Sequence, residues 1–320
     1  MTGITIGIDM MGGDYAPHEA AQGVKRYFAE SGPAVDLVLF GDEPALRSLL
    51  PADLLCSPHI SLAHAPQVIG MHEHPLKALK EKSSSSIAVG YQWLAAGKTE
   101  AFISAGNTGA MLVAAMHSIG VIPGILRPAI GAVMPNAEGG AAILLDVGLN
   151  ADSKPAHLDQ FAMLGSLYAR FMLGIQQPRT GLLNVGEEEG KGNILCQATY
   201  SLLKNNPELN FIGNIEGRDI FSGRADVMVT DGFTGNIILK MAESVYGISA
   251  AKKISDAFFD RLNFEYYGGI PVLGVAKPVI IGHGISTAIA FNNMIGVAKK
   301  MIATGLPEKI KNAFAAYPAA

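Results

Sequence analysis

Ile4-Thr5-Ile6-Gly7-Ile8-Asp9-Met10-Met11-Gly12-Gly13-Asp14-Tyr15-Ala16-Pro17-His18 is the stretch on which the fold turns. A β-branched apolar run delivers an aspartate to a double glycine, a second aspartate and a helix-starting proline. That order builds a ligand site at the carboxyl end of a strand in an α/β protein. Five later segments repeat it: Ser104-Ala105-Gly106-Asn107-Thr108-Gly109, Asp146-Val147-Gly148-Leu149-Asn150, Asn184 to Asn193, Asp231-Gly232-Phe233-Thr234-Gly235-Asn236 and Gly282-His283-Gly284-Ile285-Ser286. In a parallel sheet such turns emerge on one edge, where glycine admits a ligand close to the backbone and helix N-termini favour an anion. Capping and turn formation explain any one of them equally well, so the recurrence carries the argument.

Working outward, short β-branched runs alternate with helical patterns along the chain, which predicts an α/β protein of mostly parallel strands joined by crossover helices. Strands are expected at 5–9, 35–40, 60–64, 101–104, 129–134, 142–146, 181–184, 210–215, 226–229 and 279–281. Helices are expected at 17–30, 84–96, 108–119, 157–173, 193–203, 236–262 and 286–302. No linker and no internal repeat divides the chain. Residues 1–320 therefore read as a single catalytic α/β unit, with a division into two lobes left open.

At 320 residues the chain is ample for a large buried core. Hydrophobic residues make up 49% and charged ones 16%, which excludes a disordered chain, and 37 glycines point to many tight turns. A formal charge of -4 with no lysine or arginine run gives no footprint for nucleic acid. Cys56 and Cys196 stand far apart behind a start without signal-peptide character, so a reduced, cytoplasmic setting is expected. Residues 101–134 carry only His117 and Arg127 as ionisable groups, yet Gly106-Asn107-Thr108 and Pro123-Gly124 cut them into pieces shorter than the roughly 20 residues a bilayer demands.

Familiar chemistries fail on spacing. Gly186 to Gly192 is one residue too short for a P-loop and lacks the following Ser or Thr, and no G-x-G-x-x-G follows a strand. Gly284 to Ala288 lacks the last glycine of a nucleophile elbow. His72-Glu73-His74 matches no helical zinc spacing and reads as a solvated loop, so neither metal nor cofactor is called for. Cations able to hold an oxyanion are few: Lys191 among glycines before a helix, Arg218 after Asn214-Ile215-Glu216-Gly217, and Lys77, Lys80 and Lys82 before Ser83 to Ser86. Of these, Lys191 is the strongest candidate.

The motifs DMMGGDYAP (9–17), KSSSSIA (82–88), SAGNTGA (104–110), LLDVGLNAD (144–152), NVGEEEGKGN (184–193), GNIEGRDI (213–220), DGFTGNIILK (231–240) and YGGIPVLG (267–274) through IIGHGIS (280–286) together resemble the acyl-ACP:phosphate acyltransferase family of bacterial phospholipid synthesis, PlsX. The resemblance implies transfer of a fatty acyl group from acyl carrier protein to inorganic phosphate, giving acyl phosphate and carrier thiol. It further implies a three-layer α/β/α subunit of the phosphotransacetylase and isopropylmalate-dehydrogenase superfold with a cleft between lobes, a homodimer, and a membrane acyltransferase downstream.

Phosphate dianion is already nucleophilic, so the protein must position it, stabilise the oxyanion and protonate the leaving thiolate. On that chemistry Lys191, Asn193 and the amides of 190–192 hold phosphate beside Ser104, Asn107 and Thr108, with Gly12, Gly13 and Ser84 as further contacts. Asn236 or His283 donates toward the carbonyl oxygen. Arg218 is a phosphate ligand or, given Glu216 and Asp219, an ion-pair member. Asp9, Asp14, Asp146, Glu187 and Asp231, with Asn150, orient the donors, since carboxylates repel phosphate at close range. Cys196 offers a ping-pong alternative. Rival readings are a short-chain acyl-CoA phosphotransacylase, a metal- and NAD-dependent dehydrogenase, for which clustered arginines and metal-spaced aspartates are missing, and a non-catalytic scaffold for carrier protein. Met241, Val245, Ile248, Ile254, Phe258 and Leu262 form an apolar stripe in a segment shorter than the family's membrane-touching helical pair. Packing against the body or a dimer mate is the favoured reading there, and peripheral contact with the inner face of the membrane the alternative.

Overall fold

The computed structural model describes residues 3–317. Its strands, in chain order, are β1 (Thr5–Asp9), β2 (Asp36–Gly41), β3 (Ile60–His64), β4 (Ala101–Ser104), β5 (Ala129–Pro135), β6 (Ala141–Leu145), β7 (Arg179–Leu183), β8 (Asn210–Ile215), β9 (Val227–Val229), β10 (Ile270–Leu273) and β11 (Val279–Ile281). The chain forms two compact units, Met1–Val121 with Phe264–Pro307, and Ile122–Asn263 with Glu308–Ala320.

In the first unit the strand order is β3-β2-β1-β4-β11-β10, parallel throughout except for β10 against β11. β4 is buried along its whole length and β1 along all but its first residue. A strand covered on both faces must be apolar on both, which is why these runs read as continuous rather than alternating. Phe40, Tyr91 and Phe102 meet edge to face at the centre, with ring centroids 5.1 to 5.8 Å apart.

In the second unit the order is β5-β6-β9-β7-β8, with β5 and β6 antiparallel and the rest parallel. Five residues separate β5 from β6, too few for the crossover of about a dozen that a parallel pair needs. Asn136 closes that turn, its Oδ1 accepting the N–H groups of Glu138 and Gly140. The sheet is mostly parallel, as expected, with antiparallel pairs at this hairpin and at β10–β11. β10 is not among the strands expected from the sequence.

Most helices fall within two or three residues of expectation, for example Thr108–Ser118, Ile194–Asn205 and Ala288–Ala303. The exception is the helix expected over 236–262. It begins earlier, at Gly232, and ends at Ala251, just before Lys253 takes a left-handed φ of 55°. Ala257–Asp260 forms a separate short turn, with Phe258 packed on Phe221. No helix among the described residues is long and apolar enough to cross a membrane.

Candidate functional site

The six polar turns divide three and three. In each unit a buried aspartate at the end of a strand ties two of these turns together.

In the first unit this is Asp9, wholly inaccessible to solvent. Its Oδ1 accepts the Met11 N–H at 2.9 Å and its Oδ2 the Ser104 hydroxyl at 2.6 Å. Ser86 and the Gly12 N–H add two further donors. Burial pushes the carboxyl above the ordinary carboxylate range, and the four donors work against that shift. Gly12 has no alternative: a Cβ there would lie 2.3 Å from Asp9 Oδ2 and 2.7 Å from the Gly106 nitrogen. The third turn joins through the Asp14 N–H, which donates to the Gly284 carbonyl at 2.7 Å.

Several expected phosphate contacts are already committed here. Ser104 is fully buried, donating its one proton to Asp9 and accepting from the Gly106 N–H. It therefore braces the turn from beneath, and the expected direct contact is corrected to a supporting one. Asn107 is likewise spent: Oδ1 caps the following helix through Ala110, and Nδ2 serves the carbonyls of Gly70, Met71 and Glu73 at 3.0 to 3.2 Å. Thr108, at the first helical position, is exposed and its hydroxyl has no partner among the described residues. Ser84 is exposed and pairs with Gln67 through its backbone, whereas the cap of the helix is Ser85 and the residue that reaches Asp9 is Ser86. The serine run could be recognised in sequence; which serine turned inward depended on the helix starting at Ser86. His283 lies against the Phe264 ring at 5.0 Å and accepts the Ile285 N–H on Nδ1, which places its proton on Nε2 in the neutral ring. Asp14 and Gly13 lie at the rim, Gly13 at a φ of 106°.

In the second unit Asp146 plays the part of Asp9. Its Oδ1 accepts the Ile130 N–H at 3.0 Å, and its Oδ2 accepts from both the backbone and the Nδ2 of Asn150. Burial raises this carboxyl too, opposed by the same bonds. Asn150 passes the connection on, donating to the Pro128 carbonyl and accepting the Gly232 N–H. Asp231 caps the helix Gly232–Ala251 through Thr234, and Asn236 donates to the Val147 carbonyl at 3.0 Å. Asn150 thus joins Asp146, while one of the two Asn236 amide protons is already engaged.

The turn 184–193 is the most open of the three. Asn193 caps the helix Ile194–Asn205 with Oδ1 on the Cys196 N–H at 2.9 Å, and its Nδ2 has no partner among the described residues. Lys191 is exposed and forms no ion pair or side-chain hydrogen bond among the described residues. Arg218, in contrast, is held by Glu187 and Glu216 at 3.2 and 3.1 Å, so of its two expected roles the ion pair is the one observed. Glu187 also binds Arg224 at 2.7 Å, which holds its carboxyl below the ordinary range. The Cys196 thiol is half-buried, 3.9 Å from the Leu183 carbonyl, and burial pushes its pKa up, which disfavours the thiolate a ping-pong route would need. Three residues of this site were missed in sequence: Asn184, Gln197 and Asn214, whose amides hold the turn's carbonyls. Asn184 opens the recurring turn itself and Gln197 stands one helical turn after the capping asparagine, whereas Asn214 left no such signal.

The chain has a mixed α/β fold built on mostly parallel strands, and solved phosphotransacetylases share it. It superposes on a phosphotransacetylase from Streptococcus pyogenes with a TM-score of 0.62 at 18% identity, covering 94% of each chain. The EutD phosphotransacetylase from Staphylococcus aureus gives 0.61 at 17% identity, covering 93% of this chain and 94% of that one. Residues 4–258 match the family described as "Fatty acid synthesis protein". The phosphate acyltransferase of Dictyoglomus turgidum is 42% identical over 95% of this chain and 96% of its own, and that of Desulforamulus reducens 41% over 96% of each. The chain belongs to the phosphate acyltransferase family, PlsX, and is an enzyme of acyl transfer to phosphate.

Proposed function

We propose that the chain moves a long-chain fatty acyl group from acyl carrier protein to inorganic phosphate, releasing acyl phosphate and the carrier thiol. The observation that carries this reading is Lys191: an ammonium in a glycine turn at the end of a parallel strand, with no ion pair among the described residues and beside backbone N–H groups that have no acceptor among them. A phosphate oxygen attacks the thioester carbon, the C–S bond breaks, and the sulfur leaves as thiolate and takes up a proton. Lys191 and the Asn193 Nδ2 hold the phosphate, and Asn236 donates to the carbonyl oxygen as negative charge grows there. No acyl-enzyme forms, in keeping with the raised Cys196 thiol.

A second copy of the chain covers the helix Gly232–Ala251, where Phe233, Ile237, Met241 and Ile248 stand 53% to 68% exposed along one side. The acyl phosphate passes to a downstream acyltransferase at the membrane. The test is to mix the protein with palmitoyl carrier protein, with and without phosphate, following thiol release and trapping acyl phosphate as hydroxamate. Phosphate-dependent release with a hydroxamate product is expected. Release that ignores phosphate refutes the reading, and a preference for short acyl-CoA thioesters reassigns the acyl donor.

A further inference from the structure

Three side-chain amides grip the turn that carries Lys191. Gln197 Nε2 donates to the carbonyls of Gly190 and Gly192, each at 3.0 Å. Asn214 Nδ2 donates to the Glu188 carbonyl at 2.9 Å, and Asn184 Nδ2 to that of Lys191 at 3.1 Å. Four of the five carbonyls from 188 to 192 are thereby drawn toward protein amides.

The peptide bonds of this turn are trans, and in a trans peptide the C=O and the next residue's N–H point in opposite directions. Drawing those carbonyls inward turns the N–H groups of Glu189, Lys191, Gly192 and Asn193 away from the gripping amides. The Lys191 N–H folds back onto the Glu188 carbonyl, while those of Glu189, Gly192 and Asn193 have no acceptor among the described residues. Gly192, at a φ of 91°, supplies the left-handed step by which successive N–H groups form an anion-binding concavity.

Asn214 is aimed by an irregularity in its strand. The β7–β8 register slips by one residue between Thr180↔Phe211 and Leu182↔Asn214, at Gly213 with a φ of 94°. An extra residue in a strand exchanges the faces of the side chains that follow. Asn214 is 1% exposed, and its Oδ1 is buried without a partner, so its amide is kept in the core for the donor alone.

We infer that Gln197 and Asn214 are positioning residues for phosphate: neither touches it, and both set the N–H groups of the 188–193 turn to receive it. This rests on the reading of that turn as the phosphate holder. The test is Gln197→Met, which keeps length and neutrality but removes the donors at an exposed position that does not threaten folding, with Asn214→Leu as the buried counterpart. Gln197→Met is expected to raise the KM for phosphate about tenfold, leaving the KM for acyl carrier protein and kcat within about twofold. Amide exchange across 186–193 should rise in parallel. A phosphate KM within about twofold of wild type despite faster exchange overturns the inference, as does an equal rise in both KM values. If Lys191→Ala raises the phosphate KM and Gln197→Met does not, only this inference falls. If neither does, the reading of the turn falls with it.

Discussion

At the scale of single residues, position separates the groups that face a ligand from those that hold the turns. Among the described residues Lys191 forms no ion pair while Arg218 is paired with Glu187 and Glu216, although both follow a glycine in the sequence. Lys191→Ala is therefore expected to lower kcat/KM for phosphate about a hundredfold with unchanged melting temperature, measured by thiol release at varied phosphate. Asp146 answers to pH. Burial raises its pKa, so between the unfolded and folded values the folded chain binds more protons than the unfolded one, and the unfolding free energy falls as pH rises through that window. Above the folded value the penalty is constant. Asp146→Asn, which cannot ionise, should lack this contribution when urea unfolding is followed upward from about pH 4; an unaltered slope would assign the effect elsewhere.

At the scale of elements, the strand ends and helix starts of the glycine turns were legible because each couples an apolar run to capping residues within a few positions. Asn107, Asn193 and Asp231 cap their helices, as local chemistry dictates. What was not legible is how one turn leans on another. Gly235 shows this: its Cβ would lie 1.9 Å from the Asp146 carbonyl, a contact between residues almost ninety positions apart. Gly235→Ala should destabilise the protein by about 3 kcal/mol or more, the top of the range for overpacking, read by urea unfolding. A loss below about 1 kcal/mol would mean that the two turns separate readily. The antiparallel pairing of β5 with β6 is set by their short connection, since strand composition carries no direction.

At the scale of the whole molecule, the exposed side of the helix Gly232–Ala251 is the feature most in need of a partner. Met241 is 68% exposed, and Ile237 and Phe233 lie about one and two turns before it. Met241→Asp is expected to convert a dimer to a monomer in sedimentation equilibrium at micromolar concentration. A dimer that survives would move the interface elsewhere and leave this face for a membrane, testable with anionic vesicles.

The sequence by itself determined the class of fold, the six turns, the caps and the family, because strand burial, glycine placement and helix capping are settled by residues near one another in the chain. The tertiary structure decided which polar groups remain open to a ligand. It enclosed Ser104 and Asn107, paired Arg218, and brought Asn214 from a distant strand onto the turn that carries Lys191. A side chain's availability depends on which distant donors and acceptors reach it first, and only the folded chain assigns those partners.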